Sequence, residues 1–123
     1  RYASLVADGG LDLTVLGLGG NGHLGLNEPG TAADAPTRVT RLAPATMEAA
    51  RRYGTDAEPK WGMTLGMQAI LESNEVWLLV TGSHKAEVLE QTLSGPIGPD
   101  VPATYLRDHP NATIFADRSA AQR

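Results

Sequence analysis

Residues 11–30, which read LDLTVLGLGGNGHLGLNEPG, join an almost wholly apolar run to a glycine-rich loop. Apolar side chains at nearly every position after Asp12 predict a strand over residues 11–19 that is buried on both faces. The loop at residues 17–30 holds six glycines together with one histidine and one glutamate. Because ligands of open parallel sheets bind beyond the carboxyl ends of the strands, this loop is the first candidate for a functional site.

The rest of the chain alternates between strand and helix patterns. Apolar runs predict strands over residues 75–82 and 112–117, and apolar residues at helical spacing predict helices over residues 46–53, 63–74 and 83–95. Thr46 and Ser83 are the predicted N-caps of two of these helices, and Gly95 is the predicted end of the last one. This alternation favours the α/β class, as a three-layer, parallel-sheet, Rossmann-like domain.

The amino terminus has the pattern of the last turns of a helix. Tyr2, Leu5 and Val6 lie at helical spacing, and the pair Gly9 and Gly10 is a helix-stop signal. The chain also opens without a methionine. We therefore expect residues 1–123 to be the carboxy-terminal part of a single domain whose amino-terminal half is missing.

The composition argues against several classes of function. The 123 residues carry a net charge of −4 without a basic cluster, which disfavours a nucleic-acid partner, and no apolar run is long enough to span a membrane. The absence of cysteine excludes disulfides, thiolate metal sites and a cysteine nucleophile, and is typical of a cytoplasmic protein. His23, His84 and His109 lack metal-ligand spacing, so no metal is expected.

Two loops that follow strands carry groups suited to a polar ligand. His23 and Glu28 are close enough in sequence to converge for acid–base chemistry; the alternative is that His23 bonds a backbone carbonyl and Glu28 caps the next segment. The turn TGSHK at residues 81–85 combines a glycine, two hydroxyls and Lys85 before a helix, which suits an anion. Its spacing excludes a P-loop, and GLGGNG at residues 17–22 lacks the following helix and acidic residue of a dinucleotide site.

The glycine-rich loop closely resembles the signature of the glucosamine-6-phosphate deaminase/isomerase family, G-[IL]-G-x-[DN]-G-H-[IL]-[AG]-[FL]-N-E-P-G. The similarity continues in order through MTLGMQAIL, VWLLVTGSHKAEVL, SGPIGPDVPAT and HPNATIFAD, and it covers essentially all of residues 11–117. The resemblance implies an enzyme of amino-sugar catabolism, of the isomerase or hydrolase class. Such an enzyme converts an aldose amino-sugar 6-phosphate to a ketose phosphate, releases ammonia and needs no metal or organic cofactor.

The resemblance also assigns roles to individual residues. His23 holds the position of the histidine that opens the pyranose ring, and Glu28 that of the glutamate that orients and polarises it. Lys85 matches a lysine that binds the substrate phosphate. The family's phosphate-binding arginine at the end of a short helix is best matched by Arg52, with Arg51 as the alternative one residue away.

Other positions of the motif are candidates or departures. Gly19 and Gly22 are predicted to bind substrate, because glycines let backbone amides approach an anion closely. Asn21 stands where many deaminases have an aspartate that supports the histidine, and we expect Asn21 to support His23 in the same way. Asparagine can form the hydrogen bond but adds no charge, so His23 should be less basic than it would be beside two carboxylates. Arg38 has the position of an allosteric arginine, but Thr40 replaces the lysine of regulated members, so we do not expect regulation.

Three other functions remain open at this point: an isomerase specific for galactosamine 6-phosphate, a protein that binds sugar phosphates without turnover, and a 6-phosphogluconolactonase-like hydrolase. The last is disfavoured because the lactonase motif lacks the sequence Asn27-Glu28-Pro29. The expected partner is a small sugar phosphate, with neither nucleic acid nor membrane, and self-association into a homo-oligomer stays open. Because the family's enolisation base lies in the amino-terminal half, residues 1–123 alone are expected to be inactive.

Overall fold

The structure is a computed structural model that describes residues 1–54 and 58–122. The helices are α1 (Tyr2–Ala7), α2 (Pro44–Arg51), α3 (Met67–Leu71), α4 (Ala86–Ser94) and α5 (Arg118–Ala121), with 3₁₀ helices at Ser83–Lys85 and Pro102–Asp108. The strands are β1 (Leu13–Gly17), β2 (Arg38–Arg41), β3 (Trp61–Thr64), β4 (Glu75–Val80) and β5 (Ala112–Ala116). The predicted α1 and three predicted strands are therefore present.

A parallel sheet of β1, β4 and β5 organises the fold, with β4 in the centre. In register, Val15 lies opposite Trp77, and Trp77 lies opposite Thr113. Both pairings are parallel. The carboxyl ends of β1 and β4 therefore share one edge of the sheet, so the glycine-rich loop and the turn at residues 81–85 leave the sheet side by side. The predicted α/β class is confirmed.

The core lies on one face of this sheet. Val76, Leu78 and Val80 of β4 are almost wholly buried there, in one cluster with Ile70 of α3 and Leu89 of α4. Their burial removes large apolar side chains from water, at roughly 1.5–3 kcal/mol for each fully buried side chain. This face therefore supplies much of the stability on which the loops of the site depend.

The opposite face of the sheet is exposed. Val15 of β1 is 52% exposed, Leu79 of β4 is 45% exposed and Phe115 of β5 is 47% exposed. Phe115 packs edge-to-face on Trp77, with ring centroids 5.4 Å apart. The prediction that the first strand is buried on both faces is thus wrong, because the described helices leave this face of the sheet uncovered.

An antiparallel pair, β2 with β3, was not predicted. Val39 of β2 lies opposite Met63 of β3, so the helix expected from residue 63 is wrong at its start and forms only as α3, Met67–Leu71. Gly66, the N-cap of α3, approaches the backbone so closely that an added Cβ would lie 2.2 Å from the carbonyl carbon of Pro36. The residues of β2 and β3 alternate only weakly in a polar context, and strand preference depends on the neighbouring strand, so the sequence of either segment alone does not predict their pairing.

The predicted helix caps are corrected in two places. α2 begins at Pro44 with Ala43 as its N-cap, so Thr46 lies inside the helix rather than at its cap. Gly82, not Ser83, is the N-cap residue of the 3₁₀ turn that precedes α4, and its φ of 94° is one that glycine adopts readily. Gly95 is the C-cap of α4, as predicted.

Candidate active site

The site lies where the loop after β1 meets the turn after β4. The Lys85 ammonium group donates a hydrogen bond to the carbonyl oxygen of Leu18, at 2.6 Å, and so ties the two segments together. The amide of Gly82 donates to both carboxylate oxygens of Asp117, at 3.2 and 3.1 Å, which fixes the turn from its other side. These bonds place Lys85 beside the glycine-rich loop.

His23 and Glu28 form a close pair within that loop. Nδ1 of His23 lies 2.7 Å from Oε1 of Glu28, with the imidazole side chain 19% exposed and the carboxylate side chain 10% exposed. The backbone amide of Gly19 donates to the carbonyl oxygen of His23 at 3.1 Å. With Nδ1 held by the carboxylate, Nε2 is the nitrogen left to exchange a proton with a ligand. The pairing that the sequence left open is present in the structure.

The pKa of His23 is lowered from its ordinary value. Burial is the largest cause, because it disfavours the charged imidazolium. The negative charge and hydrogen bond of Glu28 oppose this by raising the pKa, and the positive charge of Lys85 lowers it further. The neutral imidazole is therefore favoured near pH 7, with one nitrogen free to accept a proton.

Glu28 is anchored by α2 as well as by His23. Its Oε2 accepts a hydrogen bond from the backbone amide of Ala43 at 2.5 Å, and its two oxygens lie 2.9 and 2.8 Å from the hydroxyl of Thr46. The Thr46 hydroxyl is also 3.3 Å from Nδ1 of His23. Sequence reasoning missed this role of Thr46, because residues 18 and 23 positions apart carry no local signal of contact.

The predicted phosphate ligands face the same cavity as the imidazole. A cavity of about 470 Å³ is lined by His23, Lys85 and Arg52, together with Asn21, Tyr53 and His84. The pKa of Lys85 is lowered by burial. Tyr53 and His84 were not among the predicted site residues. The arrangement combines a proton-transfer group with cationic groups, which suits a substrate that carries both a reactive polar centre and an anionic group.

The two candidate arginines have different surroundings. Arg52 lines the cavity beside Lys85. Arg51 forms an ion pair with Glu58, and both of these side chains are largely exposed. The geometry therefore favours Arg52 over Arg51 as the cationic partner of Lys85.

The two predicted substrate-binding glycines have a steric task in the loop. An added Cβ on Gly19 would lie 2.4 Å from Cδ2 of His23, and one on Gly22 would lie 2.5 Å from Cγ1 of Val101. Their amides are also engaged within the loop, Gly19 with His23 and Gly22 with the carbonyl oxygen of Gly19. Gly22 has a φ of 86°, which favours glycine. A direct contact of either glycine with substrate stays a prediction.

Asn21 supports the loop rather than the imidazole ring. Its side-chain oxygen accepts a hydrogen bond from the backbone amide of His23 at 3.2 Å. Asn21 therefore helps to hold the main chain on which the imidazole is mounted. The direct contact with the ring comes from Glu28, whereas Asn21, which was also predicted to support His23, bonds the backbone of that residue; a catalytic role for Asn21 stays a prediction.

Arg38 lies behind the same loop. Its guanidinium donates to the side-chain oxygen of Asn27 at 2.9 Å and to the carbonyl oxygen of Pro36 at 3.0 Å. Asn27 is fully buried and donates in turn to the carbonyl oxygens of Leu24 and Leu65, at 2.9 Å each. Arg38 thus holds the segment that carries Glu28, and an allosteric role for it stays a prediction.

The described residues offer neither a metal cluster nor a membrane-spanning helix. Over residues 1–54 and 58–122, no group of three or more histidine, cysteine, aspartate or glutamate side chains is arranged to hold a metal ion. In the same part of the chain, no helix is both long and apolar enough to cross a membrane.

The lowered pKa of His23 predicts a pH-dependent stability. Below the ordinary imidazole pKa the unfolded chain binds more protons at this residue than the folded chain, so acidification favours unfolding. The free energy of unfolding should therefore hold above about pH 6.5 and fall as the pH drops toward the lowered folded-state pKa. Thermal unfolding between about pH 8 and pH 5 measures this. His23→Gln, which does not titrate, should show a shallower decline, and equal slopes in both proteins would contradict the prediction.

The chain matches one family model and several curated proteins over nearly its whole length. The family model described as glucosamine-6-phosphate isomerases/6-phosphogluconolactonase matches residues 2–115. The glucosamine-6-phosphate deaminase of Rhodopirellula baltica is 44% identical over 124 residues, covering 98% of this chain and 49% of that protein. The deaminase of Shouchella clausii is 43% identical, with 98% and 50% covered. The chain therefore spans about half the length of the curated relatives it matches.

Solved structures give the same picture. A monomeric glucosamine-6-phosphate deaminase superposes with a TM-score of 0.94 at 43% identity, over 98% of this chain and 52% of that one. A 6-phosphogluconolactonase from Trypanosoma cruzi superposes with a TM-score of 0.67 at 25% identity, over 91% and 40% of the two chains. The deaminase is thus the nearer of these two in both fold and sequence, and the hydrolase class expected alongside isomerase is not supported by these comparisons.

Proposed function

The chain belongs to the glucosamine-6-phosphate isomerase/6-phosphogluconolactonase family, and we propose that it is the carboxy-terminal half of an amino-sugar-6-phosphate deaminase/isomerase. The observation that carries this proposal is the single cavity that brings His23, paired with Glu28, together with Lys85 and Arg52. Two further findings support the proposal that the chain is half of a domain. The chain matches about half the length of the deaminase relatives, and one face of its sheet exposes apolar side chains. An additional layer of the same domain would bury that face.

His23 would open the sugar ring. The neutral imidazole, held through Nδ1 by Glu28, accepts the proton of the C1 hydroxyl at Nε2 while the C1 carbonyl forms and the bond from C1 to the ring oxygen breaks. The same nitrogen then returns the proton to the ring oxygen, so protons and electrons balance. The lowered pKa of His23 fits this step, because the base form predominates near pH 7.

Lys85 and Arg52 would hold the 6-phosphate. Both residues line the cavity but come from different segments of the chain, one in the turn after β4 and one directly after α2. Charged donors form the stronger hydrogen bonds to phosphate oxygens, and a fixed phosphate orients the sugar toward the imidazole. The enolisation base, and with it the complete reaction, would come from the amino-terminal half.

A deaminase is the better supported of the family's activities. The pair of His23 and Glu28 needs the sequence Asn27-Glu28-Pro29, in which buried Asn27 fixes the loop. The deaminase relatives are also more similar to this chain than the lactonase is. Asn21 in place of aspartate keeps galactosamine 6-phosphate beside glucosamine 6-phosphate as a candidate substrate. A binding protein without turnover is the alternative from another class.

Ammonia release tests the proposal. The chain extended through its own upstream coding sequence is assayed with glucosamine 6-phosphate and with galactosamine 6-phosphate, and for hydrolysis of 6-phosphogluconolactone. We expect ammonia from at least one amino sugar and no lactone hydrolysis. Residues 1–123 alone, assayed in parallel, should release none. Binding without ammonia release would favour the non-catalytic protein, and lactone hydrolysis alone would overturn the deaminase.

Three accompanying expectations have direct measurements. No cofactor is required for proton transfer and imine chemistry, so activity should survive extensive dialysis against a chelator. A cytoplasmic location and self-association into a homo-oligomer both stay predictions. Cell fractionation tests the first, and light scattering of the purified protein tests the second.

Gly19→Ala tests whether Gly19 is needed because there is no space for a side chain beside His23. The added methyl group would overlap the imidazole of His23, so the ring or the loop must shift and the geometry of the pair with Glu28 is disturbed. We expect ammonia release to fall about 100-fold, the size of loss that a displacement of about 1 Å at a catalytic group produces. Gly9→Ala is the matched control, because nothing lies within 4 Å of its added Cβ. Full activity in Gly19→Ala would contradict the tight packing of glycine and imidazole.

A further inference from the structure

Thr46 contacts both members of the proposed catalytic pair from a different segment of the chain. Its hydroxyl lies 2.9 and 2.8 Å from the two oxygens of Glu28 and 3.3 Å from Nδ1 of His23. His23 and Glu28 belong to the loop after β1, whereas Thr46 is the third residue of α2. The contact is therefore a tertiary one and is not a by-product of local loop geometry.

The proton arrangement at this contact follows from the donors present. The Nδ1 hydrogen of neutral His23 donates to the carboxylate, which is the nearer and stronger acceptor at 2.7 Å. The Thr46 hydroxyl has one proton, and the carboxylate, as an acceptor, takes it. Glu28 is also held by the amide of Ala43. Two donors from the start of α2 thus set the orientation of the carboxylate, which leaves Oε1 facing the imidazole.

α2 also leads to the proposed phosphate ligand. Ala49 on α2 lines the cavity, and Arg52 directly follows the helix and lines it too. A displacement of α2 would therefore change the orientation of Glu28 and the position of Arg52 together. The side chain of Thr46 bonds the catalytic pair itself.

We propose that Thr46 is a positioning residue for this pair: its hydroxyl fixes the Glu28 carboxylate against Nδ1 of His23 and docks α2 on the loop. The proposal rests on the proposed ring-opening reaction for its effect on rate. Its structural part, the hold on the imidazole, has a readout that does not need turnover. Thr46 also lines the cavity, and the effect proposed for it is exerted through Glu28 and His23.

Paired substitutions test the hydroxyl. Thr46→Val keeps the shape of the side chain and removes the hydrogen bond, whereas Thr46→Ser keeps the hydroxyl and removes a methyl group. In the complete protein we expect Thr46→Val to lower kcat about tenfold or more, the size expected for losing one hydrogen bond to a charged group, with Thr46→Ser close to the parent. Thr113→Val is the matched control, since Thr113 is an exposed residue of β5.

A spectroscopic signature distinguishes positioning from general damage. The downfield proton resonance of Nδ1–H of His23 should be present in the parent and in Thr46→Ser, and should broaden by exchange in Thr46→Val. If Thr46→Val does not fold, Thr46→Ala carries the same expectation. Parent-like kcat and resonance in Thr46→Val, or equal losses in the Val and Ser variants, would overturn the proposal. Absence of ammonia release from the parent would sink the proposed function alone, because the resonance still reports on Thr46.

Discussion

Replacing His23 by Gln should lower kcat for ammonia release from the cyclic amino-sugar 6-phosphate about 1,000-fold, within the range that general acid–base catalysis contributes. The glutamine side chain is polar and similar in volume to the histidine side chain, but it does not transfer a proton at neutral pH. The coupled ammonia assay in the complete protein measures the loss. Binding of inorganic phosphate should change little, because Lys85 and Arg52 are left in place.

Two outcomes bear on the interpretation of that variant. His109→Gln is the matched control, because His109 bonds the carbonyl oxygen of Ser73 and the amide of Asn111 rather than lining the cavity. A folded His109→Gln should keep its turnover. Undiminished ammonia release by His23→Gln would remove this imidazole from the mechanism, whereas loss of both turnover and phosphate binding would indicate a collapsed site.

Loss of either proposed phosphate ligand should raise KM far more than it lowers kcat. For Lys85→Met and for Arg52→Gln we expect KM to rise about 10- to 100-fold, as for one lost hydrogen bond to a charged group. The reason is that both cations line the cavity as the proposed phosphate ligands. Lys85 also acts on the pair through its charge, which lowers the pKa of His23, so Arg52→Gln gives the cleaner separation of KM from kcat. Inhibition by inorganic phosphate should weaken in parallel with the rise in KM.

The neighbouring arginine provides the control for Arg52. Arg51 is paired with Glu58 in a largely exposed ion pair, an interaction that contributes little in water. Arg51→Gln should therefore leave KM within about twofold of the parent, because it removes only such a surface pair. A large rise in KM for Arg51→Gln, with none for Arg52→Gln, would reverse the assignment of the two residues.

Local sequence patterns predicted the frame of this fold well, and for identifiable reasons. The strands β1, β4 and β5 are apolar runs bounded by turn residues. Each can therefore be predicted from its own sequence, without knowledge of the strand that pairs with it. β2 and β3 are short and alternate in a polar context, and their pairing joins Val39 to Met63 across the segment that contains α2. The local pattern therefore predicts a helix at Met63, which instead lies in β3 and is 66% exposed.

Contacts of the site between residues near in sequence were predictable, whereas those that depend on the tertiary fold were not. His23 and Glu28 lie in one loop, so their spacing left them free to meet, and the motif singled them out. The local pattern around Thr46 predicts an N-cap. In the structure Thr46 lies inside α2, and its hydroxyl bonds Glu28 instead. The closeness of Gly19 to the imidazole likewise depends on how the loop folds back, which composition does not reveal.

One face of the parallel sheet is exposed, contrary to the prediction for β1. The apolar pattern of β1 predicted burial on both sides, yet Leu13 and Val15 are 41% and 52% exposed. The pattern is the one expected of a strand covered on both faces. It therefore agrees with the proposal that a further layer of the same domain packs there.

The most direct test of the central claim follows the imidazole of His23 by NMR as the 6-phosphate of a non-reactive sugar alcohol is added to the complete protein. If one cavity holds both ends of the substrate, the signals of His23, Lys85 and Arg52 shift together and give one common Kd. Saturation of Lys85 and Arg52 with an unmoved His23 signal would contradict that claim, because the phosphate would then bind where the sugar does not reach the imidazole.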